Sequence, residues 1–211
     1  MKRGVLALFA ALSLLGCAQP LRAGNPARGD GGARVIFGFE WGYDLTMLDI
    51  HHYNYMDEAD GFRIDEKETD LMLYSNGHAS ANVSLEFARK FSLGLHAGYA
   101  GVRQNTRIFP LSLRGTWFAD SYGTDGQFVF LEGGAGMHET MKTVLPFARL
   151  GYGYRVNLSR RASMDFSASL RGVYDHPRIY DSDNHIYIAN ENVRKSDACY
   201  GAIIFTIGLN F

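Results

Sequence analysis

Ile203-Ile204-Phe205-Thr206-Ile207-Gly208-Leu209-Asn210-Phe211 ends the chain, and its rhythm decides the fold. Ile203, Phe205, Ile207, Leu209 and Phe211 hold one set of alternate positions; Ala202, Thr206, Gly208 and Asn210 hold the other. Two is the side-chain period of an extended strand, whose successive residues point to opposite faces. The same period returns upstream. Val35, Phe37, Phe39, Trp41 and Tyr43 oppose Gly38, Glu40, Gly42 and Asp44. Ala81, Val83, Leu85 and Phe87 oppose Asn82, Ser84 and Glu86, and Phe91, Leu93, Leu95, Ala97 and Tyr99 oppose Ser92, Gly94, His96 and Gly98. Phe109, Leu111, Leu113 and Trp117 oppose Ser112, Arg114 and Thr116. Ala148, Leu150, Tyr152, Tyr154 and Val156 oppose Arg149, Gly151, Gly153 and Arg155. Met164, Phe166, Ala168, Leu170 and Tyr174 oppose Asp165, Ser167, Ser169 and Arg171. One segment, around Val129, Leu131 and Ala135, is blurred, because Phe128 and Phe130 fall on the side of Glu132.

A soluble sandwich also alternates, so the polar faces must discriminate. They carry Gly, Ser, Thr and single charges, with few of the Lys and Glu tails that coat a soluble sheet. Such a face suits a crowded wet interior, which leaves the apolar face to meet lipid. In hydrocarbon an open sheet edge would strand its N–H and C=O groups, so the sheet must close. The expected fold is therefore all-β: an eight-stranded antiparallel up-and-down transmembrane β-barrel over residues 34–211. Links near 88–90, 120–126 and 157–162 are short, those after the first and seventh segments are long, and those after the third and fifth are intermediate. That alternation suits short periplasmic turns and longer outer loops. Pro110 and Pro146 fall at expected strand starts, where a missing donor is tolerable. Tyr43, Tyr99, Phe109 and Tyr174 then collect near one boundary, and Phe87, Phe91, Trp117, Tyr154, Phe166 and Phe211 near the other, as headgroup regions favour.

The amino terminus belongs to a different category. Lys2 and Arg3 precede an apolar run from Val5 to Leu15, too short to span a bilayer permanently, followed by small residues at Gly16 and Ala18. Residues 1–18 read as a signal peptide and 19–33 as a flexible leader. Leu14-Leu15-Gly16-Cys17 also suits a lipoprotein cleavage box, with Cys17 lipidated, and both processing routes stay open. In either case Cys199 has no disulfide partner, so an exported chain needs another means of holding together. With 211 residues, 20% of them charged, the chain is one ordinary domain and no multi-helix membrane protein. A formal net charge of −1 excludes a general nucleic-acid binder.

With its signal peptide, its alternating segments and Phe211 at the end of an alternating strand, the chain resembles the small porin-like or opacity-like outer-membrane β-barrel family of Bacteroidetes. Pro110-Leu111-Ser112-Leu113-Arg114, followed by an aromatic pair, is similar to a strand common there. The resemblance covers roughly residues 33–211. It implies the outer membrane of a Gram-negative bacterium, contact with outer-membrane lipid, and recognition of the terminal strand with Phe211 by the barrel-assembly machinery. It brings no catalytic residues.

Candidate chemistry is sparse. The inward face should carry Glu40, Glu86, Glu132 and Asp165 with Arg114, Arg149, Arg155 and Arg171, a structural salt-bridge network in a barrel just wide enough for side chains to fill. A narrow porin-like channel is the alternative. His51 and His52 are adjacent and should point to opposite faces, while His138, His176 and His185 lie in separate loops, so no metal or other cofactor is expected. His78-Ala79-Ser80 has the spacing of a base and nucleophile on one strand face, as in a lipid A-modifying barrel, but on the inward side and without an orienting third group. Asp49 to Gly77 reads as a solvated acidic outer loop, containing Asp57, Glu58, Asp60, Asp65, Glu66, Glu68 and Asp70. Asp175 to Ala198, with Ile179, Tyr180, Ile186, Tyr187 and Ile188, reads as an outer loop that extends the barrel as a hairpin or contacts a partner. The expected role is non-enzymatic: membrane integrity, or surface contact with an extracellular partner through the loops. A lipidated soluble barrel facing the periplasm is a further alternative.

Overall fold

The computed structural model describes residues 33–211 apart from 57–60, 104–105, 140–142, 160, 182–185 and 190. The expected signal peptide with Cys17, nearly all of the leader, Asp57, Glu58, Asp60 and His185 lie outside the described residues. The strands are β1 (Arg34–Met56), β2 (Arg63–Phe87), β3 (Phe91–Arg103), β4 (Thr106–Phe118), β5 (Gly126–His138), β6 (Val144–Asn157), β7 (Ser163–Asp175), β8 (Tyr180–Asp181), β9 (Ile186–Tyr187) and β10 (Val193–Asn210). Eight of them form a closed antiparallel barrel in the order β1-β10-β7-β6-β5-β4-β3-β2, while β8 and β9 pair with each other outside it. The seam closes in register from Gly38↔Asn210 to Tyr55↔Val193. At its end, the Phe37 N–H donates to Phe211 O at 3.2 Å and the Phe211 N–H to Phe37 O at 2.8 Å.

Burial runs opposite to that of a soluble protein. Leu131 is 64% exposed on the outside, whereas Glu40 is 5% and Arg149 1% exposed within. Outward aromatics pair across neighbouring strands at both levels. The Tyr99 and Phe109 rings are 6.0 Å apart near the loop end of the barrel, and the Phe87 and Phe91 rings 6.4 Å apart near the turn end.

The blurred segment resolves as β5, with Phe128 and Phe130 pointing inward. Room for them comes from the neighbouring strand: a Cβ on Gly151 or Gly153 of β6 would run into the Phe130 or Phe128 ring. The sequence places these glycines on the polar face; their purpose is space for two aromatic rings.

Four expectations are corrected. The stretch Asp49 to Gly77 is not a loop. β1 and β2 continue past the barrel, pairing from Leu48↔Leu71 to Met56↔Arg63 beyond a bulge near Met47. Asp65, Glu66, Glu68 and Asp70 are exposed yet strand-paired, Asp49 is buried, and Tyr53, Tyr55, Ile50 and Ile64 supply the β-propensity. The connections after β3 and β5 are short rather than intermediate, because β4 begins at Thr106 and β6 at Val144. The stretch Asp175 to Ala198 is not wholly loop, since β10 begins at Val193 and β8–β9 forms only two pairs. Pro110 lies inside β4 rather than at its start, and the β3–β4 register breaks off at Ala97↔Leu111 and resumes at Ala100↔Ile108. Proline has no N–H for that ladder, while its other side still registers with Gly136 of β5.

The ring-for-hydrogen exchange between β5 and β6 gives a direct prediction. Gly151→Leu should overpack the lumen and destabilise the barrel by about 1–3 kcal/mol. Urea titration in detergent, read by tryptophan fluorescence, checks it; an unchanged midpoint would mean that Phe130 has room to move.

Candidate functional site

The inward charges predicted from the sequence are buried, Asp165 partly so, and most meet partners on strands distant in the chain. The largest group sits at mid-barrel. Arg114 of β4 donates from Nη1 to Glu40 Oε2 at 2.6 Å and from Nη2 to Glu132 Oε2 at 2.7 Å. Arg149 of β6 reaches Glu40 Oε1 at 2.9 Å and Ser169 Oγ at 2.7 Å, and its Nη1 lies 3.6 Å from Glu132. The Ser112 hydroxyl donates to the other Glu132 oxygen at 2.6 Å. Two acids and two guanidinium groups thus share one site, and planar forks facing carboxylates make the strong form of this contact.

Toward the turn end, Arg155 clamps Asp165 through Nε at 2.7 Å and Nη2 at 2.8 Å, and gives Nη1 to Glu86 at 2.7 Å. Asn210 Nδ2 donates to Asp165 at 2.9 Å, tying the last strand into this layer. Toward the loop end, Arg171 Nη1 lies 2.8 Å from Asp44, a buried acid missing from the expected network. Its signal was present: Asp44 shares the parity of Glu40 on β1.

The inward aromatics lie beneath these cations. The Arg114 guanidinium is 4.3 Å from the Phe130 ring centre, Arg149 is 5.1 Å from it, and Arg155 is 4.5 Å from Phe118. Desolvated contacts of this type contribute up to about 2 kcal/mol. Between the mid-barrel and turn-end layers lies a cavity of about 40 Å³, lined by Glu86, His96, Arg155 and Thr116 among others. Glu86 Oε2 and His96 Nδ1, both without a protein partner, lie among its residues.

The loop end of the lumen is different and was missed. Val102, Ile108, Leu145, Phe147, Val173 and Tyr200 form a buried apolar layer across it. Their parity already placed them inward, on the side of Ser112, Arg149 and Arg171; the expectation of a polar interior hid them.

His78 and Ser80 both point into the lumen and are buried. Glu40 stands 3.4 Å from His78 Nε2, the third group that the sequence alone did not reveal. The Ser80 hydroxyl has no hydrogen-bond partner, and this trio faces away from the barrel exterior. No group of three or more His, Cys, Asp or Glu residues arranged for a metal ion occurs among the described residues.

In the hairpin beyond the barrel, His52 Nε2 lies 3.0 Å from Asp65 Oδ1, and the Tyr53 hydroxyl donates to Glu66 at 3.1 Å. Partial burial, and then Glu66, push the Tyr53 hydroxyl up to about 12.

The outer membrane protein OprG from Pseudomonas aeruginosa matches with a TM-score of 0.51 and 11% identity, over 86% of this chain and 98% of that one. The fold is that of an outer-membrane β-barrel. The outer membrane protease OmpT from Escherichia coli (TM-score 0.40, 10% identity, 83% and 96% covered) and Neisserial surface protein A (0.34, 9%, 85% and 99%) also match, more loosely. No protein-family model matches the sequence, and no curated protein does.

Arg114→Met leaves Glu40 and Glu132 short of their shared cation, and unfolding in urea should show a loss of about 3–5 kcal/mol. The Arg114→Met/Glu132→Gln double variant, which keeps the Glu40–Arg149 pair, should recover much of that; equal losses would deny the network its electrostatic character. In the hairpin, the hydrogen bond from His52 holds the Asp65 carboxyl below its ordinary value. A depressed acid contributes stability above its unfolded pKa, and this is lost as pH falls through the folded value. Amide protection in the Asp65 region, corrected for intrinsic exchange, should therefore drop between pH 5 and pH 3 (roughly spanning the aspartate range), and Asp65→Asn should abolish the difference.

Proposed function

We propose that this chain is an integral outer-membrane protein of a Gram-negative bacterium, of the small-barrel type widespread in Bacteroidetes, that acts without catalysis through its projecting hairpin. The turn end faces the periplasm and the loop end the exterior. What carries the reading is the contrast between a filled lumen and an extended β1–β2 hairpin. Arg114, Arg149, Glu40 and Glu132 occupy mid-barrel, and the apolar layer of Ile108, Leu145 and Phe147 lies across the loop end. A solute would have to displace both. The hairpin instead carries charged, strand-paired side chains well past the outward aromatics. Elements held on a rigid scaffold but free of its core are where binding concentrates. The outward apolar face supports contact with lipid, and the paired end of β10 at Phe211 supports its use as an assembly signal. Burial of His78 and Ser80 inside the lumen weighs against a lipid-modifying enzyme, whose substrate would approach from outside.

An epitope inserted at Gly61, the exposed positive-φ residue at the hairpin tip, tests the topology. Antibody should label intact cells, and labelling only after permeabilisation would reverse it. Planar bilayers containing the purified protein should stay silent; stepwise conductance would restore the channel reading.

A further inference from the structure

The hairpin leaves one sheet edge open. β1 accompanies β2 along one side throughout, but β3 accompanies it on the other only from His78 to Phe87. From Arg63 to Gly77 that side has no strand neighbour among the described residues. Every second residue there presents its N–H and C=O outward, with no ladder to receive them. Such an edge accepts an added strand.

Its side chains restrict what can be added. Glu66, Glu68 and Asp70 stand at successive alternate positions and so share one face, opposite Tyr53, His51 and Asp49 of β1. The Tyr53 hydroxyl fixes Glu66 in place at 3.1 Å. The single lysine of this stretch, Lys67, lies on the other face with Asp65 and Thr69. Two copies meeting edge to edge would set acid against acid, and like charges directly opposite are destabilising. A cationic strand meets the reverse condition, because its charges at every second position fall against the three acids.

We propose that the Arg63–Asp70 edge of β2 receives an extended cationic segment of a partner protein as an added strand, with Lys or Arg at alternate positions against Glu66, Glu68 and Asp70. This rests on the surface-contact reading above and names the class of partner. Main-chain hydrogen bonds supply the attachment; the spacing of the cations supplies the selection. Salt weakens the complex, since the acids are exposed.

The test uses the full mature chain in detergent micelles and the labelled peptide Lys-Val-Lys-Val-Lys-Val-Lys, followed by fluorescence anisotropy. Three controls accompany it: the same residues with the lysines contiguous, the same peptide with its inner amides N-methylated, and Glu-Val-Glu-Val-Glu-Val-Glu. The alternating cationic peptide should bind at least about tenfold more tightly than each control. The triple variant Glu66→Gln/Glu68→Gln/Asp70→Asn, checked for an unchanged urea midpoint, should lose a similar factor. Equal binding of the N-methylated peptide would reduce the contact to charge attraction without strand addition and overturn the proposal. No binding by the alternating peptide would overturn it too. The Gly61 epitope result is independent of both outcomes, so surface exposure of the hairpin stands or falls separately.

Discussion

A main-chain ladder that returns to its own first strand constrains every other choice in this chain. Once β10 pairs with β1, no barrel strand within the ring lacks a neighbour, and the backbone is satisfied without water or a second layer. The side chains are then divided by parity alone. One set faces outward and is free to be apolar over the whole circumference. The other shares a narrow lumen whose volume is set by the strand number, and every residue placed there must fit against residues from strands remote in sequence.

That volume explains the composition of the interior. Eight strands leave too little room for bulky side chains at every inward position, so glycine and serine alternate with arginine, glutamate and phenylalanine. β5 and β6 illustrate the exchange, in which the Phe128 and Phe130 rings occupy the space that Gly153 and Gly151 vacate. The Phe130 ring lies under guanidinium groups that also bind carboxylates, so one arginine meets an aromatic face and an acid at once. Burying such charges is costly, and dense pairing offsets the cost, which makes the network a specifier of register more than a source of net stability.

Parity was legible in seven of the eight barrel segments and blurred at β5; it carried the expected inward charges, while Asp44 and the apolar layer went unrecognised. Pairing was not legible. Glu40 meets Arg114 and Arg149, whose strands face β1 across the lumen through closure of the ring and not through any spacing in the chain. The hairpin extension escaped for a different reason. Periodicity of hydrophobicity reveals a strand only when its two faces meet different media, and residues 50–56 and 63–70 are at least partly exposed on both. Their β-branched and aromatic residues were a weaker signal, outweighed by the acids between them. The apolar layer at the loop end was obscured by an assumption about the medium, since Ile108, Leu145 and Phe147 had the correct parity throughout.

The seam between β1 and β10 makes ring closure the longest-range step of folding. Gly38 to Tyr55 of β1 pair locally with β2 on one side and with the sequence-distant β10 on the other, and Phe37 and Phe211 exchange backbone hydrogen bonds at the end of that seam. Without β10 one edge of β1 stays without its ladder, so the ring closes only through contacts of high sequence separation. Slow closure, with open strand edges until it is reached, follows from the topology itself.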